Sequence, residues 1–145
     1  RHPQPRQARP PLALRRARVA VDLPLAGRAA LNGLVFVGPA AVAGVLLADD
    51  DGDLAGGAAV GIAIVQIVGF CFAGWVVRRI SITASMATCA LAGVGCAVIV
   101  QAVGILTTLV RGQDLNPLTW IATALVAALA GCAGGLLART ERVPR

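Results

Sequence analysis

The chain has 145 residues, of which 57% are hydrophobic and only 14% charged, with a mean hydropathy of +0.79. A water-soluble domain of this size carries about a quarter charged residues to keep its surface wet, so the deficit points to a solvent other than water. All 13 basic residues are Arg and the formal charge is +6, yet they sit in tails and short turns, which excludes the folded basic surface that nucleic-acid binding requires. Aromatic residues make up 3% of the chain, so a core must come from Ala, Val, Leu, Ile and Gly. Such residues suit interfaces between membrane helices, where backbones approach closely. The first residue is Arg1 rather than Met, which predicts a trimmed or partial N-terminus.

Residues 1–27 read as an Arg- and Pro-rich cytoplasmic tail, in which Pro3, Pro5, Pro10, Pro11 and Pro24 forbid a long helix. A short membrane-lying helix over 12–23 is an alternative, although its apolar and basic residues do not separate onto two faces. Four apolar spans follow, at about 29–48, 55–77, 82–110 and 118–138, within a membrane domain of 28–138. Each reaches the roughly 20 residues that a spanning helix needs, and none holds a charge. In hydrocarbon only helices and closed barrels satisfy their own backbone, and these unbroken runs lack a barrel's alternation. The expected fold is therefore all-α, a polytopic four-helix transmembrane bundle with short loops. The third span is long enough to require tilt.

Polar breaks separate the spans. Asp49, Asp50, Asp51, Gly52 and Asp53 form the first break, Arg78, Arg79 and Ser81 a tight second, and Arg111, Gly112, Gln113, Asp114, Asn116 and Pro117 the third. Asn116 is placed to cap the fourth helix, with Pro117 at its first position. A tail at 139–145 ends the chain.

Charge predicts orientation. Arg1, Arg6, Arg9, Arg15, Arg16, Arg18 and Arg28 precede the first span, Arg78 and Arg79 sit between the second and third, and Arg139, Arg142 and Arg145 follow the fourth. The opposite loops hold Arg111 against five Asp residues. The positive-inside rule then puts both tails and the middle loop in the cytoplasm of a bacterial cell (inner) membrane. Trp75 and Trp120 fall near span ends, as indoles prefer. A rival reading makes the first span a signal peptide cleaved after Ala41, Val42 and Ala43, or a twin-arginine signal at Arg15 and Arg16; the long Arg-rich lead argues against the first, and Ala17 and Arg18 against the second.

A short pattern recurs. Cys71, Gly74 and Arg78 at the end of span two match Cys132, Gly135 and Arg139 at the end of span four, each reading Cys, any, small, Gly, three apolar residues, Arg. A duplicated helical hairpin explains it; so does chance in a chain rich in Ala and Gly. Small residues also recur at helical spacing: Gly57 and Gly61 in span two, Ser85, Cys89, Gly93 and Ala97 in span three, and Ala127, Gly131 and Gly135 in span four. Packing within the bundle is the expected use, and a homo-oligomer interface the alternative.

Candidate chemistry is sparse. Gln66 and Gln101 are the most polar side chains well inside spans and should face protein, as interhelical hydrogen bonds or as part of a permeation path. Cys71, Cys89 and Cys132 fall at similar depth, about 10 Å from one face, and together with Cys96 read as small apolar residues rather than a thiol site. His2, the only histidine, lies in the tail, and no Ser has a partner base. The expectation is no enzyme, no catalytic, cofactor-binding or metal site, and no cofactor. The run from Asp49 to Asp53 reads as a solvated outer loop before a weak cation site. The N-terminal Arg cluster suits anionic lipid.

In span number, short loops and small-residue content, the chain resembles the small four-span bacterial membrane proteins of high-GC genomes. It departs from the small multidrug exporters, which rely on a Glu within the first span, since no acid lies in any span here. Low polarity and abundant small-residue faces point to a non-catalytic subunit, assembly factor or scaffold of a larger membrane complex, with other membrane proteins or further copies as partners. The alternative is a small transporter, flippase or holin-like pore built around Gln66, Gln101 and Pro39.

Overall fold

The computed structural model describes residues 21–49, 54–112 and 117–141. The Arg cluster of the N-terminal tail, the acidic run from Asp50 to Asp53, Asn116 with its expected cap, and Arg142 and Arg145 lie outside the described residues. Among the described residues four helices make up the fold: α1 (Leu23–Leu47), α2 (Gly56–Ile80), α3 (Met86–Val110) and α4 (Pro117–Thr140). At 1.5 Å per residue, 24 or 25 residues give about 37 Å, which exceeds a hydrocarbon core of about 30 Å and carries the ends into the headgroup layers. Only 22–28% of each helix's most apolar window is buried inside the protein, although mean hydropathy there is 2.0–2.3. The remainder, including Leu46, Leu106 and Val110, presents apolar surface that only lipid or another apolar partner can cover. This is a multi-pass membrane protein folded as a four-helix bundle.

Local chemistry moves the expected boundaries. α1 begins at Leu23, six residues before the expected 29, because Asp22 caps it: its carboxylate accepts the Leu25 N–H at 3.0 Å, and Pro24 occupies the first turn. Residues 23–27 therefore belong to the helix rather than to the tail. α3 begins at Met86 rather than 82, because Ser85 caps it by accepting the Thr88 N–H at 3.2 Å. It is no longer than α1 or α2, so length gives it no special tilt. α2 runs on through Ile80, which puts Arg78 and Arg79 in its last turn, where positive charge faces the negative end of the helix dipole.

Helix α2 packs on α1, α3 and α4, and α3 packs on α1, α2 and α4, whereas α1 and α4 do not meet among the described residues. The bundle is thus a rhombus with α2 and α3 in contact across its short diagonal. Two core layers fill it. One joins Leu25, Ala29, Ala73, Val77, Cys89 and Ala92 near the end that carries Asp22 and Thr140, here called the tail end. The other joins Ala30, Val37, Phe70, Cys96, Ala97 and Ala127 at mid-height. Beyond it, in 41–49, 54–68, 98–112 and 117–126, no described residue is buried.

Candidate functional site

Glycines set the packed half. A Cβ built on Gly74 of α2 would fall on the Gly131 carbonyl of α4, and one on Gly134 would fall on the Cys71 carbonyl. A Cβ on Gly93 of α3 would meet the Ala127 carbonyl in the same way, and one on Gly33 of α1 would lie 3.0 Å from the Gly69 carbonyl oxygen. Backbones touch there because nothing intervenes. The stripes Cys89, Gly93, Ala97 and Ala127, Gly131, Gly135 accordingly pack within the chain. Gly57 and Gly61 do not: both are exposed, and a Cβ on either meets nothing within 4 Å.

The tail end gathers the polar chemistry. Arg78, only 6% exposed, donates from Nη1 to the Ile82 carbonyl at 2.7 Å and from Nη2 to Met86 Sδ at 3.7 Å. The tight turn after Ile80 brings that carbonyl back over the guanidinium. Thr88 is fully buried; its Oγ1 accepts the Asp22 N–H at 3.3 Å and shares a 3.0 Å hydrogen bond with Ser85 Oγ, which ties the starts of α1 and α3 together. On the far side of α2, Arg79 pairs with Glu141 at 2.8 Å and lies over the Trp75 ring, 4.6 Å from its centroid. Trp75 stacks on Phe72, and Phe72 meets Phe36 edge-on. A cavity of about 550 Å³ opens between the last turns of α2 and α4 and the first turn of α3, lined by Arg78, Arg139, Thr83, Ser85, Met86 and Ala87.

The two glutamines part ways. Gln101 donates to the Trp120 carbonyl at 3.4 Å, an interhelical bond between α3 and α4. Gln66 lines a cavity of about 250 Å³ between α1, α2 and α3 in the far half, with Thr107, Thr108 and Arg111. Arg111 reaches the Val45 carbonyl at 3.4 Å across that mouth. All four cysteines are free thiols. Cys89 lies beside Arg78 and near Cys132, and Cys132 donates to the Met86 carbonyl at 3.8 Å, whereas Cys71 takes its place on the α2–α4 contact. Among the described residues no three His, Cys, Asp or Glu side chains converge.

Sequence reasoning missed two features. It placed Arg78 in an aqueous loop, whereas the helix continues past it and buries it. It also left the two halves of the recurring pattern unrelated in space, whereas they lie side by side on α2 and α4 and their terminal residues, Arg78 and Arg139, line the same cavity. That coincidence was the available signal. Fold and site define a four-span membrane protein with a packed, polar-tipped half and an open half. No family model, no curated protein and no solved structure matches the chain.

Proposed function

We propose that this is a non-catalytic membrane protein of the bacterial inner membrane, with both tails in the cytoplasm, serving as a subunit, assembly factor or scaffold of a larger membrane complex. One observation carries this: every buried residue of the helices lies within 25–40, 69–78, 88–97 or 127–138. The far half supplies four apolar surfaces with no core of their own, and Gly57 and Gly61 are open notches that admit a neighbouring helix. The Arg asymmetry along the chain supports the orientation. In that orientation the tail arginines face anionic lipid, each worth about 1 kcal/mol of surface attraction.

A second reading, a small transporter, flippase or holin-like pore, rests on the Gln66, Thr107, Thr108 and Arg111 cavity. The glycine crossings and the α2–α3 contact fill the middle of a single copy, which favours the first. Native mass spectrometry after mild extraction from the source membrane tests the choice. A stoichiometric assembly with another membrane protein is expected, lost in a Gly57→Leu, Gly61→Leu double variant that keeps its helical content. A lone monomer that moves ions, solutes or lipids across proteoliposomes overturns the proposal.

A further inference from the structure

The cavity between Arg78 and Arg139 lies apart from the open half, and its chemistry is of one sign. Two guanidinium groups reach it from different helices, Arg78 from α2 and Arg139 from α4. Met86 and Ala87 line it as the first two residues of α3, whose N–H groups have no intrahelical acceptor and form the positive end of that helix's dipole. Thr83 and Ser85 bring hydroxyls to the rim, and among the described residues the lining holds no Asp or Glu. Two guanidinium groups and a helix N-terminus around one cavity favour an anion between them.

Depth narrows the choice of anion. Arg78 is two residues from the end of a helix longer than the hydrocarbon is thick, which sets the cavity at the level of lipid phosphates. Arginine's planar fork suits two phosphate oxygens at once, and free helix N–H groups suit a third. The volume, about 550 Å³, falls in the usual range for a small-ligand site of roughly 300–1,000 Å³.

We propose that this cavity binds a phosphate group, either the phosphodiester of an anionic glycerophospholipid or a free phosphate, between Arg78, Arg139 and the start of α3. The site does not depend on the subunit reading and is distinct from the N-terminal Arg cluster. The full chain in phosphatidylcholine nanodiscs, titrated with phosphatidylglycerol and read by native mass spectrometry, is expected to take up one such lipid saturably. Arg139→Gln changes an exposed side chain and is expected to keep the fold; it should weaken that uptake about tenfold, as should Arg78→Gln where it folds. Arg79→Gln, outside the lining, and an Arg6→Gln, Arg9→Gln tail variant should bind as the parent does. Titration of inorganic phosphate into the full chain in nanodiscs of phosphatidylcholine alone separates the sources. Saturable phosphate binding with the same Arg139 dependence, and no preference for phosphatidylglycerol, supports a soluble anion in the same site. Uptake unchanged in Arg139→Gln, an equal loss in the two control variants, or no saturable binding of either probe overturns the proposal.

Discussion

Gly74 and Gly134 tolerate no side chain, because each faces a carbonyl of the opposing helix at backbone contact. Even one methyl group must push α2 and α4 apart. Gly74→Ala should therefore cost about 1–3 kcal/mol, as overpacking of a tight interface does. Gly57→Ala meets open space and should change stability by no more than about 0.5 kcal/mol. Thermal unfolding in detergent compares the two, and equal stabilities would refute the crossing. The Arg79–Glu141 pair belongs at the other extreme. Both side chains are 48% exposed, so solvent screens them, and Glu141→Gln should lower stability by less than about 1 kcal/mol in the same assay. A loss rivalling that of Gly74→Ala would mean that this exposed pair, not the glycine contact, holds α2 to α4.

At the scale of elements, α1 and α3 are held together at their starts by one buried hydroxyl. Thr88→Val keeps the shape but leaves the Asp22 N–H and the Ser85 hydroxyl without that partner. The expected loss is about 1–3 kcal/mol in a denaturant titration. A neutral outcome would show that water replaces the Thr88 hydroxyl there. These starts also show how far the sequence was readable. Hydropathy alone revealed four spans, because charge is absent over stretches that only a bilayer accommodates. It misplaced the start of α1, since Arg28 and Gly27 look like tail, whereas Asp22 and Pro24 held a legible cap signal. Arg78 was unreadable for a different reason. A charge ordinarily marks the aqueous end of a span, whereas here the turn after Ile80 returns the Ile82 carbonyl and the Met86 sulfur to the guanidinium. Which glycines pack was equally hidden, because Gly57, Gly61, Gly93 and Gly131 share one spacing and differ only in where neighbouring helices cross.

For the whole molecule, tight and open halves should differ in motion. Hydrogen exchange of the detergent-solubilised chain should be slow in 69–78 and 88–97 and faster in 56–68 and 98–110, where no residue is buried. Uniform protection along α2 would mean that the far half packs in solution. Orientation is open to a simple check: a reporter fused after Arg145 should be active only in the cytoplasm, and activity outside would reverse the proposed topology. The four-span architecture was legible at this scale. The one-sided core was not, because all four helices are apolar along their whole length and periodicity does not distinguish the ends that pack from the ends that splay.

The absence of contact between α1 and α4 among the described residues has a consequence for biogenesis. As the chain leaves the ribosome, α1, α2 and α3 enter the bilayer first and can already satisfy the Gly33–Gly69 crossing and the Thr88 tie. The notches of Gly74 and Gly93 stay open until α4 arrives, since the nearest atoms facing both belong to its backbone. A nascent protein halted before Pro117 therefore displays a ready-made seat for one more helix. The last span completes the fold as a key closes a lock already built, and a foreign helix with the same small-residue spacing would compete for that seat during synthesis.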